Sequence, residues 1–185
     1  MAVATALLTI EEYIALPDTR YPTELVRGRI VELPPPKSRH GQICVRIIYL
    51  LMQYLDGKNL GHLLSNDSGI ITERNPDSMR GANIAYYSYA KVPKGPLPEG
   101  YLQVPPELIF EVRSPGDRWR NVLTKAAEYL EAGVELVVVI DPADESAHLF
   151  HSDRAVERLS ADDTFRAPTI LGDFEVQVAR FFEAS

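Results

Sequence analysis

The sequence has a single cysteine, no long hydrophobic run and no excess of basic residues. One cysteine, Cys44, excludes an internal disulfide and a cysteine zinc cluster. No apolar stretch reaches the ~18 residues that a membrane-spanning helix needs, so we expect no association through a membrane span. Lys and Arg number 19 against 26 Asp and Glu, which gives a net charge of −7. This charge argues against a protein that coats nucleic acid with a broadly basic surface, although a local basic groove stays compatible with it.

The chain also has no internal repeat and no low-complexity tract. Its 185 residues correspond to about one domain, and its short proline-rich stretches are typical of loops within a domain. We therefore predict a single domain over residues 1–185. The amino-terminal segment MAVATALLTIEEY has no basic region, so we expect no secretory leader and a cytoplasmic location.

Hydrophobic patterning in the first third of the chain predicts two helices and a hairpin. Thr9 and Glu12 form a capping-box pattern that begins a short helix over 10–16. A tight turn at Arg27-Gly28 joins strands over 24–28 and 29–33. A long helix is predicted from Ser38, as its cap, to residue 55. Its apolar stripe comprises Ile43, Ile47, Ile48, Leu51, Met52 and Leu55.

The rest of the chain alternates short β-rich runs with one further helix. The predicted strands are 62–64, 69–72, 83–87, 107–112, 135–140 and a terminal hairpin of 148–150 with 156–159. A helix over 117–131 ends at Gly133, and a last helical turn covers 178–182. This order predicts an α/β (α+β) fold with a mixed sheet flanked by helices.

Three polar side chains stand where the pattern favours apolar ones: Asn83, Glu111 and Lys125. Glu111 lies in the apolar strand ELIFEV, where a carboxylate is costly unless it is paired. Arg113 shares a strand face with Glu111 and lies beside it, so the two could bind a metal and steady a phosphate. An ion pair of Glu111 with Arg113 or Lys125 is the simpler interpretation. The turn at 114–117 precedes a helix start, which favours anions, but a plain helix cap is the favoured interpretation of this turn.

Several longer runs together resemble the Uma-type endonuclease family of the PD-(D/E)XK, restriction-endonuclease-like superfamily. They are ELVRGRIVELPPP, RGANIAYYSYAKVPKGPLPEGYL, PPELIFEVRSPGDRW, KAAEYLEAGV and ELVVVIDP, and the resemblance spans about residues 7–182. It implies a restriction-endonuclease-like sheet, hydrolysis of phosphodiester bonds in DNA, and Mg²⁺ or Mn²⁺ as cofactor. It also leads us to expect a homodimer, because many restriction-type nucleases pair to cut both strands.

The resemblance assigns roles to particular residues. Glu111 becomes the second acid of a metal site, and the Val112 carbonyl becomes a further ligand. The basic residue is Lys125 on the following helix, or Arg113 at the E-x-K position. Glu24 is an additional acid. Arginine stays protonated and cannot act as a base, so Lys125 is better suited to hold a water or a developing negative charge.

The first acid departs from the family pattern, because Ala82-Asn83 stands where the family usually has Pro-Asp. A missing charge near a metal ion is worth ~4 kcal/mol at an effective dielectric constant of ~20, or roughly two to three decades in affinity. Three interpretations follow: a naturally inactive member, an engineered Asp-to-Asn change, or a site rebuilt with Glu24 or Asp117. We expect positions 83, 111 and 125 to converge around a cation pocket.

Two other functions compete with the endonuclease. A non-catalytic nuclease-fold protein that binds nucleic acid or a protein partner is favoured by the neutral Asn83. An assembly module would use the loop over 91–101 as a dimer arm. His40 is interpreted as a capping or packing residue and Cys44 as a packing residue, rather than as ligand or nucleophile.

Overall fold

The structure is a computed structural model that describes residues 7–17 and 20–184. Residues 1–6 belong to the amino-terminal segment in which we expect no secretory leader, and they lie outside the described residues. Residue 185, the last residue of the predicted domain, lies outside them as well. The main sheet has eight strands in the order β2-β1-β4-β5-β6-β7-β8, with β3 paired to β4. These strands are β1 (Thr23–Val26), β2 (Arg29–Glu32), β3 (Gly61–Glu73), β4 (Ser78–Ser88), β5 (Leu108–Val112), β6 (Leu136–Asp141), β7 (Ser146–Phe150) and β8 (Glu157–Leu159).

Helices cover both faces of this sheet. They are α1 (Ile10–Ile14), α2 (Ser38–Leu55), α3 (Trp119–Glu131), α4 (Pro168–Leu171) and a 3₁₀ helix (Val178–Phe181). A second, two-stranded sheet pairs β9 (Thr164–Arg166) with β10 (Glu175–Gln177). The pairing of β5 with β6 is parallel and the other pairings are antiparallel, so the predicted mixed sheet flanked by helices is confirmed. In the part of the chain that the structure describes, no helix has the length and apolarity to cross a membrane.

The two faces of the sheet carry separate hydrophobic clusters. Residues of α2, β9, α4 and β10 pack on one face, together with Phe110 and Val112 of β5. Residues of α3 pack on the other face against Ile109 of the same strand. Because side chains alternate along a strand, Glu111 faces α3. This alternation places the only carboxylate of β5 beneath Lys125.

Most local predictions near the amino end are confirmed, but α1 ends at Ile14 rather than at residue 16, and two details of α2 are wrong. Thr9 and Glu12 form the predicted capping box, and Arg27 with Gly28 makes the tight turn at positive φ. The long helix has the predicted bounds, but Ser38 is its first residue rather than its cap. The assignment of Met52 to the buried stripe was wrong, because it is 53% exposed.

The predicted short strands over 62–64, 69–72 and 83–87 are parts of one long hairpin, β3 with β4. Polar residues interrupt β3 at a register shift between Ser65 and Ser68. Asn66 and Asp67 there have φ of +65° and +53°. A β-bulge of this kind re-aims a side chain without ending the strand, which explains why the sequence looked like a loop.

The predicted terminal hairpin exists as β7 with β8, but it is not terminal. The chain continues through β9, α4 and β10 before the helical turn at its end. Phe165, Phe174 and Phe181 from this region form edge-to-face contacts that extend to Phe110 of β5. The segment therefore completes the core on the α2 face of the sheet.

Candidate active site

The Lys125 side chain lies at the centre of a cluster on the α3 face of the sheet. Its Nζ lies 3.1 Å and 3.2 Å from the two carboxylate oxygens of Glu111 and 3.2 Å from Oε1 of Glu24. It also donates to the carbonyl oxygen of Gly81 at 2.8 Å. The elements β1, β5 and α3 thus bring together the two predicted acids, Glu24 and Glu111, and the predicted basic residue, Lys125.

Glu24 is held by two cations. Arg80 donates to Glu24 Oε2 at 2.8 Å and also contacts both carboxylate oxygens of Glu128 on α3. The Gly81 amide donates to Glu24 Oε1 at 2.9 Å. Burial alone would raise the pKa of Glu24, but Lys125 and Arg80 outweigh it and lower that pKa. Glu24 is therefore a carboxylate in the folded protein.

The environment of Glu111 favours the charged carboxylate less than the environment of Glu24 does. Burial raises the pKa of its carboxyl, although Lys125 and the hydroxyl of Tyr129 act in the opposite direction. The Tyr129 hydroxyl lies 2.9 Å from Glu111 Oε1 and donates to it. For Lys125, burial opposes the charge, and the carboxylates of Glu111 and Glu24 overcome it and raise the pKa of the ammonium. Lys125 is thus a fixed positive charge at neutral pH.

Asn83 lies within β4 rather than at its start, and it has a different set of partners. Its Oδ1 accepts from the backbone N–H of Val112 at 2.8 Å and lies 3.2 Å from Nε2 of His40. Its Nδ2 donates to Oδ1 of Asp67 at 2.7 Å. Of the three expected positions, the structure joins 111 and 125 directly, whereas 83 is linked to this pair through the backbone of β5.

The bulge in β3 brings Asp67 to Asn83. Gly81 of β4 pairs with Gly69 beside the bulge, and a Cβ at position 81 would lie 3.0 Å from both Cβ and O of Asp67. A Cβ at this distance would be closer than ordinary van der Waals contact, so a glycine suits this close approach. The same glycine supplies the amide and carbonyl groups that hold Glu24 and Lys125. Gly81 therefore couples the lysine cluster to the Asp67–Asn83 pair.

Arg113 is engaged elsewhere. Its NH1 donates to both carboxylate oxygens of Asp141, at 3.0 Å and 2.8 Å, and its guanidinium stacks over the Trp119 ring. Asp117 caps its own loop by accepting from the Ser114 N–H at 2.8 Å. A role for Arg113 at a phosphate would require its release from Asp141, and Asp117 has no contact with the lysine cluster among the described residues.

His40 and Cys44 lie on successive turns of α2, on the opposite face from Lys125. The Cys44 sulfur is 3.7 Å from Nδ1 of His40. Burial, with the negative charges of Asp67 and Glu111 adding to it, raises the pKa of the Cys44 thiol to about 12. Such a thiol carries almost no thiolate at neutral pH, so it is unsuited to nucleophilic chemistry.

The implied Mg²⁺ or Mn²⁺ can be tested against the donors present. The carboxylates of Glu24 and Glu111 and the amide oxygen of Asn83 are hard oxygen donors of the type these ions take. However, Lys125 neutralises both carboxylates, and Asn83 uses its oxygen for the Val112 N–H. In the described ranges, no group of three or more His, Cys, Asp and Glu side chains is arranged to hold an ion. In this arrangement the residues do not fit a resident divalent cation.

Sequence reasoning missed three members of the site: Arg80, Tyr129 and Asp67. The ring of Tyr129 is buried, as is usual for an aromatic side chain on the inner face of a helix, but its hydroxyl reaches Glu111. Arg80 has partners 56 and 48 residues away, so no local spacing reveals them. Asp67 carried the one available signal, an acid inside a polar interruption of a β-rich run.

Comparison with known proteins agrees with this architecture. A crystal structure described as "a putative nuclease belonging to DUF820 from Anabaena variabilis ATCC 29413" superposes with a TM-score of 0.83 at 17% identity, covering 95% of this chain and 97% of that one. At this identity the likeness establishes the restriction-endonuclease-like nuclease fold alone. No curated protein gave a significant match. The model of the Uma2 family, described as "Putative restriction endonuclease", matches residues 10–179. With that match spanning nearly its whole length, the chain belongs to the Uma2 family.

Proposed function

We propose that this chain is a DNA endonuclease of the Uma2 type whose phosphodiester hydrolysis is held at a low level by the neutral side chain at position 83. The observation that carries the proposal is the contact of Lys125 with Glu111 and Glu24, three residues to which the family resemblance gives roles in hydrolysis. Family membership supports nucleic acid as the substrate. In this proposal the chain retains the fold and the basic residue of a nuclease, and the low activity is due to Asn83.

Lys125 contributes a fixed positive charge. Because its pKa is raised, it is protonated at neutral pH and acts electrostatically, holding the negative charge that develops on the phosphate, rather than by taking a proton. Tyr129 and the Gly81 carbonyl fix the positions of Glu111 and Lys125. Mg²⁺ or Mn²⁺ is the cofactor that we propose for full activity, which would need a rearrangement of the donors described above.

The decisive experiment restores the acid. Asn83→Asp and wild-type protein are incubated with labelled DNA and Mn²⁺, with Asn83→Asp/Glu111→Ala as the matched control. The proposal expects roughly a 10²- to 10³-fold gain in cleavage for Asn83→Asp, from the charge added near the ion, and loss of that gain in the control. No metal-dependent cleavage by either protein would contradict it.

A second candidate function is non-catalytic binding of nucleic acid or of a protein partner. The observation that favours it is the fit of the Asn83 amide, whose oxygen accepts from Val112 and whose nitrogen donates to Asp67. A carboxylate could not make the second bond. Fluorescence anisotropy with labelled DNA in EDTA separates the two: tight binding by wild-type protein, without cleavage by Asn83→Asp in Mn²⁺, favours this candidate.

A homodimer is the assembly that we propose for cutting both strands. The loop over 91–101 is the candidate arm, and it exposes Leu97 and Tyr101, 37% and 40% accessible respectively. Sedimentation equilibrium should give the mass of two chains for wild-type protein and a lower average mass for Leu97→Asp. A mass of one chain for the wild type would reject the dimer, and an unchanged dimer mass in the variant would reject this loop as its arm.

A further inference from the structure

All three N–H donors of the Lys125 ammonium have an oxygen partner within the protein. A protonated lysine has three N–H donors and no acceptor. Three groups surround Nζ within 3.2 Å: the Gly81 carbonyl, the Glu111 carboxylate and the Glu24 carboxylate. These groups come from three different strands, so it is the folding of the sheet that brings together the oxygens around the ammonium. No donor of Lys125 is left over for a ligand.

The carboxylates around Lys125 are among the least accessible in the molecule. The Glu24 and Glu111 side chains are 4% and 14% exposed, and Lys125 itself is 22% exposed. Glu24 has Arg80 as a second cation, but Arg80 is shared with Glu128. Removing the lysine charge would leave three carboxylates with one guanidinium. Buried charges need a counter-charge, so these carboxylates would then require another cation.

The oxygens that hold the ammonium are also those that a divalent ion would need. Two carboxylates and a backbone carbonyl are hard oxygen donors, and such donors suit Mg²⁺ and Mn²⁺. An ion and the ammonium cannot both neutralise the same two carboxylates at hydrogen-bonding distance, since their positive charges would repel. The lack of fit to a divalent ion noted above therefore has a specific cause, which is that an internal cation is already in place.

We propose that the Lys125 side chain is the resident cation of this site, and that a divalent ion binds there only when the ammonium leaves Glu24 and Glu111. This inference deepens the proposed function and rests on it for taking this cluster as the functional site. Lys125 then acts as a gate as well as a charge. Conditions that draw the lysine towards a phosphate would open the oxygens to the ion.

The test compares melting temperatures of Lys125→Met and wild-type protein in EDTA and in millimolar Mn²⁺, without nucleic acid. In EDTA the variant should melt ~6–20 °C lower than wild type, because one partner of a buried charge set is gone. Mn²⁺ should restore at least half of that loss and leave the wild type within ~1 °C of its EDTA value. Rescue of the variant by Mn²⁺ supports the proposal.

Arg113→Met is the matched control. Arg113 and Asp141 are comparably buried, with 17% and 6% exposure, but removal of the arginine frees one carboxylate rather than two. This variant should melt lower than wild type and gain nothing from Mn²⁺. Equal rescue of both variants would show that Mn²⁺ stabilises any freed acid, and would overturn the proposal.

Wild-type protein provides a readout that does not depend on the folding of a variant. A Mn²⁺ titration followed by electron paramagnetic resonance should show no tight site in wild type and one tight site in Lys125→Met or Lys125→Gln. Tight Mn²⁺ binding to the wild type would overturn the proposal. It would also be overturned if Mn²⁺ raised the melting temperature of neither Lys125→Met nor Lys125→Gln. The Mn²⁺ experiments contain no DNA, so their outcome does not depend on whether Asn83→Asp cleaves DNA. Failure of the cleavage assay would contradict the proposed function, whereas failure of the Mn²⁺ rescue would contradict the role of Lys125 as resident cation.

Discussion

Asn83→Asp offers a prediction about stability that is independent of catalysis. In the folded protein the Asn83 amide donates to the Asp67 carboxylate at 2.7 Å. The substitution replaces that donor with a second carboxylate, so a hydrogen bond becomes a repulsive contact. Without a divalent ion, in EDTA and at low salt, the variant should be less stable than wild type.

The magnitude follows from two contributions. A hydrogen bond to a charged acceptor contributes about 1.5–3 kcal/mol, and the exposure of Asp67 points to the low end of that range. Repulsion between two charges at this separation adds ~1 kcal/mol in a water-like dielectric. The expected loss is about 2–3 kcal/mol, which corresponds to a melting temperature lower by roughly 4–12 °C for a chain of this size.

The double variant Asp67→Asn/Asn83→Asp is the matched control. It exchanges the acid and the amide, leaves the net charge unchanged and restores a donor at position 67. The Val112 N–H can still donate to position 83 in both variants, so the difference between them isolates the contact with residue 67. Urea unfolding at low salt should show the double variant recovering most of the lost stability. Equal stability of the single variant and wild type, or no recovery in the double variant, would refute the reasoning, and concentrated salt should narrow the gap.

Three further predictions follow from the structure. Glu24→Gln should lower the melting temperature at pH 7 by ~6 °C or more. Because folding lowers the pKa of Glu24, the carboxylate stabilises the fold above its unfolded pKa of ~4.3, and this stabilisation is lost as the pH falls through the lower folded pKa. The difference in melting temperature between variant and wild type should therefore shrink in acid, and a constant difference from pH 7 to pH 3 would contradict this. Native Cys44 should react with Ellman's reagent at pH 8 at least ~10²-fold more slowly than in urea, because its pKa is raised to about 12; equal rates would contradict its burial. Gly61→Ala should destabilise the β3–β4 hairpin by ~1 kcal/mol or more in urea unfolding, because the new Cβ would lie 2.2 Å from the Tyr87 carbonyl oxygen, whereas Gly41→Ala, with open space around it, should not.

Local rules were sufficient where a signal and its partner lie close in sequence. The Thr9–Glu12 capping box, the Arg27-Gly28 turn and the bounds of α2 are all of this kind. The errors occur where distant packing decides. Met52 has the spacing of the buried stripe, yet the C-terminal segment that completes this core packs elsewhere on the helix and leaves Met52 exposed. The three-residue strands β9 and β10 are too short for a period-two pattern to be recognised.

The candidate site was predictable only in part, for the same physical reason. The position of Glu111 in an apolar strand required a partner, and the spacing of α3 allowed Lys125 to provide it. The contacts of Arg80 with Glu24 and Glu128 and of Asp67 with Asn83 depend on which strands become neighbours. The β3 bulge adds a further element, because its backbone geometry at Asn66 and Asp67 decides where the Asp67 carboxylate is directed.

The central position of Lys125 also has a consequence for synthesis on the ribosome. A nascent chain whose last emerged residue is Val112 already contains β1, the β3–β4 hairpin and β5, and with them Glu24 and Glu111, but it lacks the ammonium that neutralises these two acids. Arg80 alone would then face the acids of the forming sheet. Until α3 leaves the exit tunnel, the cost of burying those carboxylates favours hydration of that surface, so final closure of the sheet must follow the arrival of this helix.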